Sequence, residues 1–165
     1  MSAALGLLAV AVAVLAQAAA LPAFSVFGAH PNIIIVLLVA WAAVRAQREA
    51  LLLIPAAGFL LGLLDSQPLG LAMLALAPLI LMTDLRELRW VESNLLLAVV
   101  ITAFASLVYE LVGLVTLAVT GERPDWLAAT RDVLVPAIIA NVLLLLPVYG
   151  VVWFASADVR QRPAF

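Results

Sequence analysis

Thr102, Ser106, Glu110 and Gly113 stand four, four and three residues apart in an otherwise apolar run, a spacing that lays them along one stripe of a helix. The chemistry of that stripe turns on Glu110. Inserting an ionised carboxyl into the middle of a hydrocarbon layer costs at least about 2–3 kcal/mol, so such a group faces other helices rather than lipid. Three roles are open to it: bonding helices together, lining a pocket for a small molecule or lipid group, or coupling to a proton or ion. Asn141 lies about 12 Å into the last apolar run and Glu110 about 15 Å from the end of its own, counted at the helical rise from the same outer side. The two are therefore predicted to share a bundle interior and to come within reach of one another.

Other chemistry is poorly supplied. With no cysteine and a single histidine, His30, there is no thiolate nucleophile and no set of metal ligands, and His30 reads as a loop residue before a helix. Ser/His/Asp sets, paired carboxylates and glycine loops for phosphate are likewise missing. A formal net charge of −2, with all eight basic residues arginine and thinly spread, gives no footprint for nucleic acid. No cofactor, no metal and no enzymatic activity are expected.

The elements that must position these residues are set by composition. Of 165 residues, 67% are hydrophobic and 11% charged, with a mean hydropathy of +1.25. A soluble domain is roughly half apolar and a quarter charged, so this chain could not build a surface for water. The expected fold is an all-α integral membrane protein, one compact bundle of six transmembrane helices. The apolar runs fall at about 3–21, 31–45, 50–65, 68–83, 94–119 and 133–155.

Each run has its own signals. The first is rich in alanine, and Ala9 and Ala13, one turn apart, offer a close-packing face; with no positive charge ahead of it, it reads as a retained helix rather than a cleaved signal. Pro31-Asn32 starts the second, which carries Trp41 near one end as an interfacial anchor. Arg45, Arg48 and Glu49 form a short charged turn. Between the fourth and fifth runs lies a charged stretch with Arg86 and Arg89, and Thr120 to Asp132 is a polar connection. Pro147 should kink the last helix. Placing the Arg45/Arg48 turn, the Arg86/Arg89 loop and the Arg160/Arg162 tail on one side leaves only Arg123 and Arg131 on the other. The positive-inside rule then sets both termini in the cytoplasm.

One stretch is the most specific. In Gly58-Phe59-Leu60-Leu61-Gly62-Leu63-Leu64-Asp65, followed by Pro68-Leu69-Gly70, two glycines one turn apart form a small-residue face, and a carboxylate and a proline end the helix and restart the next. That is a membrane hairpin. Gly58 and Gly62 could hold a partner or a neighbouring helix of the same chain. Asp65 could be solvated among headgroups, pin the hairpin, or meet a partner outside the membrane.

With Pro31-Asn32 before it and Pro136 and Asn141 after it, this stretch resembles the MreD family of bacterial rod-shape-determining membrane proteins, over most of the chain and with asparagine at 32 where that family commonly has aspartate. The resemblance implies a non-enzymatic subunit of the bacterial cytoplasmic (inner) membrane that binds MreC and works beside MreB, RodA and its penicillin-binding transpeptidase in peptidoglycan synthesis, in contact with membrane lipid. The fold of that family also resembles the substrate-binding subunits of energy-coupling-factor vitamin transporters. On that second reading the Ala9/Ala13 face would dock on a transporter partner and the Glu110 stripe would line a vitamin pocket.

Overall fold

The computed structural model of the protein describes residues 2–19, 30–44, 47–64, 70–83 and 94–156. Among these there is no strand. The chain runs through α1 (Ser2–Ala19), α2 (Ile33–Val44), α3 (Gln47–Leu64), α4 (Leu71–Thr83), α5 (Asn94–Val119), the short α6 (Trp126–Ala129) and α7 (Val135–Ala155). A π-helical turn, Thr130–Leu134, joins the last two into one rod. This turn ends two residues before Pro136. A proline there removes the N–H that would bond the carbonyl of Asp132 and crowds that carbonyl with its ring, and the wider turn, closed by the Val135 N–H on the Thr130 oxygen, makes room for it.

α2 occupies the centre. It is apolar on every side, as a helix must be if it is to be surrounded, and it touches α1, α3, α5 and α7. Ile34, Val36 and Ala40 are fully buried. α1 shows the opposite arrangement, a two-sided helix. Its Leu5, Leu8, Val12 and Leu15 are exposed, while Gly6, Val10, Ala13 and Val14 face inward. Ala9 also packs on the core, so the Ala9/Ala13 face is used inside the molecule and offers no free docking surface.

Two glycines set how closely the helices approach. A Cβ on Gly6 would stand 2.8 Å from Leu53 and 3.1 Å from the Trp41 ring; one on Gly58 would stand 2.7 Å from the Met73 Cα of α4. Gly58 is therefore filled by the chain's own hairpin partner. Gly62, one turn on, is buried.

Two segments, Leu95–Val119 and Trp126–Ala155, are long and apolar enough to cross a membrane. Only 22% and 28% of their apolar windows are buried, whereas the core helix of a water-soluble protein is mostly hidden. The remaining helices carry shorter apolar stretches of 10–17 residues. α2 itself, at 12 residues, reaches only about 18 Å.

The structure departs from the sequence reading in several places. Trp41 is 7% exposed, packed against α1 with its indole N–H donated to Glu49 at 3.1 Å, so it belongs to the core and not to an interface. The charged turn is short because α3 begins at Gln47 and takes Arg48 and Glu49 into its first turn. Thr120 to Asp132 is helical from Trp126 onward, started by Asp125, whose carboxylate accepts from the Leu127 and Ala128 N–H groups. That is an N-cap ahead of an apolar run. α5 ends in a Schellman turn: Gly121 takes φ +97°, and the Glu122 N–H reaches the Leu117 oxygen. α4 begins at Leu71, a few residues later than expected, after Gly70 at φ +99°. The turn with Asp65 and Pro68, and Arg45, Arg86, Arg89, Arg160 and Arg162, lie outside the described residues.

The glycine contacts give a direct test. Gly58→Leu should lower stability by about 1–3 kcal/mol through overpacking against α4. Gly150→Ala, where a Cβ meets nothing within 4 Å, should be neutral or mildly stabilising. Melting temperatures of the two purified variants in detergent check this.

Candidate functional site

The polar residues of the interior converge on the first turn of α2. A helix start leaves its leading N–H groups without intrahelical partners, and in apolar surroundings each unsatisfied group costs several kcal/mol. Here every one is met. The Asn32 N–H donates to Oδ1 of Asn141 at 2.6 Å, and the Ile33 N–H donates to Oε1 of Gln17 at 2.9 Å. The N–H groups of Ile34 and Ile35 both donate to Oδ1 of Asn32, at 3.1 and 3.2 Å. The Val36 N–H then begins the regular ladder on the Asn32 carbonyl. Pro31, ahead of them, has no N–H to satisfy, and its carbonyl accepts from the Gln17 amide at 3.4 Å.

The same chain of bonds continues into α5. Nδ2 of Asn141 donates to Oγ of Ser106 at 2.8 Å, and that hydroxyl donates to the Thr102 carbonyl at 2.7 Å. Asn141 uses both ends of its amide, one on α2 and one on α5. Gln17, Asn32, Ser106 and Asn141 thus tie together α1, α2, α5 and α7. Thr102 is fully buried, and its own hydroxyl has no hydrogen-bond partner; nothing in the structure explains that orphan.

Glu110 stands apart from this network. The predicted meeting with Asn141 is not formed, because Asn141 is already engaged by Ser106 and Asn32. A spacing of four residues overshoots a full turn, so over the eight residues from Thr102 to Glu110 the stripe rotates by about 80° around α5. Ser106 consequently meets Asn141 on α7. Glu110 comes round to α4, half-buried on the wall of an open cleft of about 100 Å³ whose other sides are Leu71, Ala72, Ala75, Tyr109, Val112 and Gly113. Among the described residues no hydrogen bond or ion pair reaches its carboxylate. Gly113 leaves that wall open, since a Cβ there would meet nothing within 4 Å.

Asn32 and Gln17 carry structural weight that the reading of polar spacing on α5 did not assign to them. The signal for Asn32 was present, an amide directly after proline and before an apolar run. Gln17 gave a fainter one, as a lone amide in the alanine-rich first helix.

Separate outcomes are expected along the stripe. Asn141→Ala strands both the Asn32 N–H and its partner on α5, a loss of about 1–3 kcal/mol, and should speed amide hydrogen exchange at Asn32 to Ile35. Thr102→Val removes a hydroxyl that has no partner and should leave stability unchanged or raised. Exchange read by mass spectrometry, alongside melting temperature, distinguishes the two.

No family model, no curated protein and no solved structure matches this chain.

Proposed function

We propose that the chain is a non-enzymatic, multi-pass subunit of the bacterial cytoplasmic membrane, crossing it six times with both termini inside, and that it serves as a docking body of the MreD kind for MreC. In this role it supports the elongation machinery of MreB, RodA and its penicillin-binding transpeptidase without reacting with a substrate itself.

The observation that supports this reading is how the interior polar groups are used. Gln17, Asn32, Ser106 and Asn141 are engaged with one another and with backbone, which makes a rigid frame and leaves their bonding capacity largely taken. Outwardly the helices are bulky and apolar, with Leu96, Val100, Leu143, Leu146 and Val151 all more than half exposed. Lipid covers such a surface, and a single transmembrane helix can pack on it.

The vitamin-binding alternative finds less support. Sites for small molecules run to roughly 300–1,000 Å³, and the cleft at Glu110 measures about 100 Å³. The alanine pair that would dock on a transporter is turned to the core.

Co-expression of the full chain with MreC, followed by affinity capture in mild detergent, tests the proposal. MreC is expected to co-elute in near-equal amount. Recovery of the chain without MreC, carrying a tightly held vitamin instead, would replace this reading with the transport one.

A further inference from the structure

We propose that the cleft beside Glu110 receives a basic side chain carried into the membrane on the single transmembrane helix of a partner. This rests on the docking function proposed above and names the place and the chemistry of the contact.

The argument starts from an uncompensated acid. Glu110 lines a cleft between α4 and α5, and among the described residues the chain supplies no donor to it. Every other interior polar side chain described in that region except Thr102 is bonded. A carboxylate in apolar surroundings is stabilised when a cation meets it with good geometry. The cleft sets the size of that cation. About 100 Å³ falls short of a site for a drug-sized molecule and suits the end of one basic side chain.

Depth selects the carrier. Glu110 is 16 residues beyond Asn94 and nine before Val119 along α5, about 24 Å from one end and about 14 Å from the other. In a hydrocarbon layer of about 30 Å, with α5 either flush at its inner end or centred, Glu110 lies about 6–10 Å below the outer edge. The ammonium of a phospholipid rests above that edge, among the headgroups. A side chain projecting from a membrane-crossing helix is held at the required depth by its own backbone. Ala72, Ala75 and Gly113 line the cleft with Glu110, so a helix laid there can come close enough for an arginine or lysine to reach the carboxylate.

The chain contains no cysteine, which gives a clean background for cross-linking. Gly113→Cys is placed in the cleft, and Leu8→Cys, on the exposed side of α1 where leucine is 62% exposed, serves as the comparison. Each is co-expressed with MreC bearing single cysteines along its transmembrane helix, in membranes of phosphatidylethanolamine and phosphatidylglycerol. Disulfides are expected from position 113 next to a basic residue of that helix, and none from position 8. Glu110→Gln, which keeps the side chain's size, should weaken MreC capture by at least about tenfold with its melting temperature unchanged, and Glu110→Arg paired with an acidic residue on the partner helix should restore it.

Cross-links that form from position 8 and not from 113, or full capture by Glu110→Gln, would overturn the site while leaving the docking function standing. Failure of the unaltered chain to capture MreC would overturn the docking function itself. Glu110-dependent retention of phosphatidylethanolamine, with MreC capture indifferent to the substitution, would overturn the proposal and give the cleft to lipid.

Discussion

The constraint on which the rest of the structure depends is the start of α2 inside an apolar body. Most of those leading N–H groups are buried, and the protein supplies an acceptor for each from three directions: Gln17 from α1, Asn32 from the same turn, and Asn141 from α7. Such bonds tolerate little displacement, because a hydrogen bond weakens steeply with distance and angle. The caps therefore set axial register. Ser106 must stand level with Asn141, and the end of α1 must stand level with the beginning of α2.

Register fixed in this way explains the uneven ends of the molecule. From Ser106 to the end of α5 at Val119 is 13 residues, about 20 Å at the helical rise. The α5–α6 connection consequently reaches well beyond the level at which α2 begins. Burial follows the same line. Past Gly113 the only buried residues before Val135 are Leu114 and Leu134, and the end of this hairpin is held by its own caps: Gly121 in the left-handed region and Asp125 at the helix start.

Close packing does the remaining work. Small residues let helix backbones approach closely, so the neighbours must fit. Gly6 lets α1 settle on Leu53 and Trp41, and Gly58 lets α3 settle on the backbone of α4. Both glycines are consumed by internal contacts. Gly113 differs from these two, since it adjoins open space at the cleft where Glu110 is found. A docking body of the kind proposed would use this combination, a hydrogen-bonded frame and a cleft beside it.

By itself the sequence determined the all-helical class and the approximate place of each long helix. Apolar runs of this length form helices, and prolines, glycines and charged turns mark most of their limits, although α4 and α6 begin elsewhere than the runs at 68 and 133 suggested. Pro31-Asn32 before α2 and the apolar length of α5 were legible for that reason. Asp125 as a cap was missed, because Thr120 to Asp132 was taken whole as a polar connection. Tertiary structure alone decided which polar groups meet. That depends on the rotation and depth of each helix relative to its neighbours, and a spacing of four residues drifts around the helix. Ser106 and Asn141 therefore came together, while Glu110, on the same stripe, turned to face α4. The side on which a glycine is filled is likewise a property of the neighbour that fills it, and Gly58 carried no mark in the sequence to say that Met73 would be there.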